Sequence, residues 1–254
     1  MRNLISLALI CIFTFCATGC FKTYQEIRLK SDLSGQIYLR LVYDMNTIVD
    51  MMGAQQGGGQ VPEKQKKMMT EQMKSQMKAE SKAMKEEINK KLPEGVKLAE
   101  FSILEPKPGK MEMKIGFSFK HIDCLKAMQD LEFGPQQGDA QKPFQGLTIE
   151  QEGSDIIIKQ NMKTDPKMQQ GSEQMESMPG MEEMMEMMLK EMGFFVRIRV
   201  PYMKYKIAEH TADKYDEANH TLYWSYTGKA LMESAKTGKM PKEVFVRLTP
   251  KQEE

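Results

Sequence analysis

Four cysteines occur in 254 residues, and three of them, Cys11, Cys16 and Cys20, fall within the first twenty positions. Cys124 is then alone in the remainder, so no disulfide framework and no C-x-x-C redox or zinc pair can be drawn. His121 stands three residues before Cys124, but a lone cysteine is more often a small buried apolar residue than a nucleophile. Charge of one sign is also missing. Lys plus Arg number 36 and Asp plus Glu 35, a net charge of +1, which offers no basic field to recruit nucleic acid. No G-x-S-x-G, H-E-x-x-H or complete P-loop occurs, and Gly238-Lys239 lacks both the upstream glycine and a following Ser or Thr. The histidines are His121, His210 and His220. His210 and His220 flank a loop, yet a metal site needs three or four ligands, and two neutral surface histidines are the simpler reading. These absences lead to the expectation of a protein that is not an enzyme and carries no cofactor of its own.

Long apolar runs are scarce, with one exception at the start. Met1-Arg2-Asn3 supplies a positive charge, and Leu4 to Phe15 follows as a mostly aliphatic stretch. About a dozen residues is the length of a signal-peptide core, short of the roughly 20 needed to span a bilayer. Next comes Ala17-Thr18-Gly19-Cys20, which resembles the lipobox of bacterial lipoproteins, with Ala17 where leucine is usual. The resemblance implies that residues 1–19 are removed as a signal peptide and that Cys20 becomes the mature N-terminus. It would then bear a covalent diacylglyceryl group and an N-acyl chain. The partner so implied is a membrane, reached through the anchor on the exported side of a bacterial cell envelope. Phe21 rather than aspartate follows the cysteine; by resemblance to enteric sorting this favours the outer membrane if the envelope is Gram-negative.

From Cys20 to Glu254 the patterning predicts one α+β domain with a helical insert at about 53–92. Its sheet is expected to be mainly antiparallel, built from hairpins and covered by Met-rich amphipathic helices. Alternation marks strands at Tyr24 to Lys30 and Gln36 to Asp44, joined by Ser31-Asp32-Leu33-Ser34-Gly35. The clearest strand is Met111 to Lys120, where Met111, Met113, Ile115, Phe117 and Phe119 alternate with Glu112, Lys114, Gly116, Ser118 and Lys120; it should pair with Val96 to Leu104. A third pair is Leu147 to Gln151 with Asp155 to Gln160, and further strands are expected at Phe194 to Val200, Tyr205 to Ala212, Thr221 to Tyr226 and Val244 to Thr249. A Gly/Gln linker, Gly53 to Gly59, precedes a helix from Pro62 to Leu92 whose Met69, Met73, Met77, Met84 and Ile88 form a narrow stripe. Shorter helices are read near Ile122 to Leu131, Met181 to Met192 and Lys229 to Lys236.

Two separated stretches carry a family likeness. The first is Gly19-Cys20, a strand, Ser31-Asp32-Leu33-Ser34-Gly35 and a second strand; the other is Ala208 to Ala212 followed by Asn219 to Tyr226, which contains Trp224. Together they resemble the LppM-like bacterial lipoproteins. That resemblance implies an α/β envelope domain concerned with lipid and brings no enzymatic residues.

Methionine is the compositional outlier, with 25 in the chain. Met181, Met184, Met185, Met188 and Met192 recur as an amphipathic helix requires, so packing alone would explain them. A second reading takes them as an adaptable apolar surface for lipid, with Met184, Met188, Phe194 and Trp224 as ligand contacts. A third uses Met178, Met181, Met184 and Met185 as soft thioether ligands for Cu(I). The function expected is a membrane-anchored, non-enzymatic envelope lipoprotein that binds a lipid or other apolar ligand. The alternatives are a structural lipoprotein meeting a protein partner through the long charged helix, or a copper binder.

Overall fold

Alternation of apolar and polar side chains builds the first hairpin. In β1 (Phe21–Leu29) and β2 (Gly35–Asp44) every second residue is buried, which places Ile27 and Leu29 beside Ile37, Leu39 and Leu41 on one face. The connecting turn is held by Asp32, whose Oδ1 accepts from the Ser34 amide at 3.0 Å and its hydroxyl at 2.7 Å. A Cβ at Gly35 would lie 2.3 Å from the Arg28 carbonyl oxygen, so only glycine lets the two strands close there. The structure, a computed structural model, describes residues 21–55, 61–129, 144, 146–161, 189–237 and 242–251.

Two helices come next, one expected and one not. Helix α1 (Met45–Gln55) begins where a strand end and linker were read. Its start is set by Asp44, whose Oδ1 accepts from the amides of Asn46 at 3.1 Å and Thr47 at 3.2 Å; Met45, Ile48 and Val49 are then buried at helical spacing. Helix α2 (Glu63–Lys91) runs 29 residues, about 44 Å at 1.5 Å per residue. Glu63 lies in its first turn and Lys90 and Lys91 in its last, charges that suit the helix dipole.

The remaining elements are β3 (Val96–Lys107), β4 (Lys110–Phe119), α3 (Cys124–Met128), β5 (Leu147–Glu152), β6 (Asp155–Gln160), β7 (Gly193–Arg199), β8 (Tyr205–His210), β9 (Lys214–Asp216), β10 (Thr221–Thr227), α4 (Gly228–Thr237) and β11 (Val244–Pro250). The fold is α+β and mostly antiparallel, as expected, but its strands form two sheets. Seven lie in the order β3-β4-β2-β1-β7-β10-β9 and four in the order β5-β6-β11-β8. In the larger sheet β1 and β7 run parallel, Gln25 opposite Val196 and Ile27 opposite Ile198. One core is shared, with Ile27, Trp224 and Val196 from the larger sheet and Ile156, Ile158 and Val246 from the smaller.

Over β1, β7 and β10 the cover of the larger sheet is the smaller one. Toward β3 it is α2, whose Met73, Met77 and Met84 pack against the core beside Leu98, Phe101 and Ile103. Phe144 meets Phe117 edge-on, ring centroids 5.8 Å apart. Of the segment read as the helix Met181 to Met192, residues 181–188 lie outside the described residues; Leu189 to Glu191 form one helical turn.

Candidate functional site

Trp224 and Phe194 project from the inner face of the larger sheet. Trp224 pairs with Val196 and Phe194 with Tyr226, so the two rings lie one pair of positions apart along the same face, and Phe194 sits 6.3 Å from the Tyr226 ring. Trp224 is only 2 % exposed. Its Nε1–H donates to Thr211 Oγ1 at 3.1 Å, and the same oxygen accepts from the Phe245 amide at 3.0 Å and donates to the Glu243 carbonyl at 2.5 Å. Thr211 is thus a fully used hydroxyl tying β10 to β11 across the sheets. Nearby, Tyr226 donates to the Lys242 carbonyl at 2.6 Å; burial, with help from Asp213 and Glu243, pushes its phenol well above the ordinary range. The other two residues expected in an apolar site with these rings, Met184 and Met188, lie outside the described residues, as do Cys20 and the copper candidates Met178, Met181 and Met185.

A second apolar seam runs between α2 and β3. Met73, Met77 and Met84 line it from the helix and Leu98, Phe101 and Ile103 from the strand, all half-buried. Its polar groups are few. Lys74, 5 % exposed, crosses from helix to strand to meet Glu105 and also contacts Glu71 at 2.9 Å; its hydrogen bonds to Glu105 and Glu71 raise the Lys74 pKa above the ordinary lysine range. Thr70 is 4 % exposed, and its Oγ1 has no hydrogen-bond partner, an uncommon state for a buried hydroxyl. Sequence reading found the stripe but not the seam, because which strand a helix covers is invisible in periodicity.

The remaining polar candidates are engaged elsewhere. His121 Nδ1 lies 2.9 Å from Asp123 Oδ2; Cys124 packs on Gly95, where a Cβ would come within 2.6 Å of its Sγ. His210 and His220 do converge on Tyr215: its hydroxyl is 3.3 Å from His220 Nδ1, and the His210 and Tyr215 ring centroids are 6.1 Å apart. His210 Nδ1, however, accepts from the Ala212 amide at 3.2 Å. Among the described residues no three His, Cys, Asp or Glu side chains are grouped to hold a metal ion, and no helix is long and apolar enough to cross a membrane.

No known family profile matches the chain, and no curated protein matches it. Among solved structures it is similar to the folded domain of LppM from Mycobacterium tuberculosis, determined by NMR, at 8 % identity over 92 % of each chain with a TM-score of 0.45. Likeness at that level gives no residue to carry over.

Proposed function

We propose that this chain is a lipid-anchored protein of the bacterial envelope, not an enzyme, whose domain holds an acyl-type apolar ligand in the seam between α2 and β3. The observation that carries the ligand reading is the seam itself. Methionine, flexible and unbranched, replaces the leucine of a rigid interface, the side chains on both walls stay half-buried, and one unpartnered hydroxyl, Thr70 Oγ1, is enclosed at one end. An apolar lining with few polar groups is the usual make-up of a small-molecule site. Each methylene of an acyl chain withdrawn from water contributes ~0.8 kcal/mol, enough over half a chain to retain ligand through purification. The anchor reading is supported by the start of β1 at Phe21, directly after Cys20.

Two experiments test the two halves. Residues 21–254 purified without detergent should carry co-extracted lipid by mass spectrometry and, once delipidated, bind the fluorescent fatty acid cis-parinaric acid saturably. Met77→Gln should weaken that binding about tenfold, ~1.4 kcal/mol. Trp224, already buried, should keep the same emission throughout the titration. A lipid-free preparation with no saturable signal would refute the ligand. For the anchor, metabolic palmitate labelling should vanish in Cys20→Ala; labelling that persists removes it.

A further inference from the structure

The outer face of the seven-stranded sheet has a composition that packing does not require. Across β4, β2, β1, β7 and β10, four neighbouring spacings of ~4.8 Å make a surface about 19 Å wide. It is paved with aromatic rings, and arginines lie on them. Arg40 is stacked over Tyr24 at 4.0 Å, Arg28 over Tyr38 at 4.6 Å and Arg197 over Tyr223 at 5.4 Å, while Tyr24 also stacks on Phe195 at 4.7 Å. Glycine at position 116 makes room for one of these rings, since a Cβ there would lie 2.9 Å from Tyr38 Cε1. A guanidinium stacked on a ring loses rotamer freedom but keeps its edge free to donate. These side chains remain open to solvent, 40 % for Arg28, 42 % for Arg40 and 48 % for Arg197.

The charge on this face departs from that of the chain. Lys22 pairs with Glu191 and Lys110 with Asp44, and on neighbouring β3 Lys97 and Glu100 offset one another in charge; what is left on these five strands is Arg28, Arg40, Lys114, Arg197 and Arg199 against Glu26 and Glu112. Both carboxylates brace the cations. Glu26 accepts from Arg28 at 2.6 and 3.1 Å and from Arg197 at 3.4 Å, and Glu112 lies 3.8 Å from Arg40 and 3.1 Å from Lys114. A nearly neutral protein therefore presents a surplus of pre-positioned cations on one sheet face.

We infer that this face docks on an anionic lipid bilayer. The cations are spread over several strands, which suits an array of headgroups better than one small anion, and arginine mixed with Tyr and Phe is the composition of membrane interfaces. Continuity with the anchor supports the same occupant. Lys22, which opens this face, lies two positions after Cys20, so a domain tethered there holds the face at high effective concentration beside headgroups. The delivery rests on the anchor reading; the affinity of the face does not, and neither depends on the seam between α2 and β3.

Residues 21–254 contain every described strand and helix, and the test uses them without lipid. They should cosediment with mixed phosphatidylglycerol and phosphatidylcholine vesicles, not with phosphatidylcholine alone, and binding should fall as salt is raised. The double variant R40Q/R197Q should lower the partition coefficient about 25-fold, which is ~1 kcal/mol per basic residue at an anionic surface. K82Q/K85Q, an equal loss of charge on the exposed side of α2, should retain the wild-type value. Equal binding to both vesicle types, an equal loss in K82Q/K85Q, or retention of soluble polygalacturonate while vesicles are ignored would each overturn the proposal. A protein that ignores vesicles but binds cis-parinaric acid would overturn it and leave the seam reading intact.

Discussion

Gln25 and Gln160 offer the sharpest test of how the two sheets are joined. Gln25 is 1 % exposed on β1 and Gln160 2 % exposed at the end of β6; each side-chain amide donates to the other's carbonyl at 3.2 Å. Replacing Gln25 alone with leucine strands the amide of Gln160 in an apolar interface. A buried polar group deprived of its partner costs about 1–3 kcal/mol, whereas replacing both partners with apolar residues of similar shape is nearly neutral. Q25L and Q160L should therefore each lose about 2 kcal/mol, and Q25L/Q160L no more than about 1 kcal/mol, giving a coupling near 3 kcal/mol from the pair. Urea unfolding of the four proteins, with midpoints converted through a common m value, supplies all the terms. Losses that simply add in the double variant would show that the amides do not satisfy one another, and would refute the reasoning.

Thr211→Val should cost about 2–4 kcal/mol, because it deprives both the Trp224 indole N–H and the Phe245 amide of their acceptor, while Thr211→Ser stays within about 1 kcal/mol on the same urea assay. Burial acts to raise the Glu26 pKa, but hydrogen bonds and charge from Arg28 and Arg197 outweigh it, leaving the carboxyl below its ordinary 4.5. The folded-state pKa being the lower one, Glu26 stabilises the protein above pH 4.5 and that contribution is lost as the pH falls through the folded value; stability measured against pH should fall more steeply on the acid side for wild type than for E26Q. Gly116→Ala should lower stability by about 1–2 kcal/mol by driving a Cβ into the Tyr38 ring and the Glu100 side chain, and the loss should be smaller when introduced together with Tyr38→Ala.

Most of the local structure was legible because it is written in periodicity. Ile37, Leu39 and Leu41 announce β2, Met111 to Phe119 announce β4, and the stripe from Met69 to Ile88 announces α2, since each depends on one element having one buried face. Helix α1 was missed although a signal was present, Asp44 capping a short run of Met45, Ile48 and Val49. The Gly/Gln linker just beyond it drew the boundary too early. Three-residue β9 was missed because Lys214, Tyr215 and Asp216 carry no pattern, and its pairing is supplied by β10.

By itself the sequence determined where most of the described strands and helices lie and that their sum is an α+β fold. Tertiary structure decided everything that depends on which elements meet. Periodicity names a buried face without naming what covers it, so the division into two sheets and the parallel contact of β1 with β7 are set by side chains far apart in the chain, such as Gln25 and Gln160. The same holds for Trp224, whose apolar position was visible but whose N–H turned out to be committed to Thr211. It holds most strongly for the outer face, where Arg28, Arg40 and Arg197 stand on three separate strands. Only pairing in register brings them together on aromatic rings and concentrates positive charge that the composition averages away.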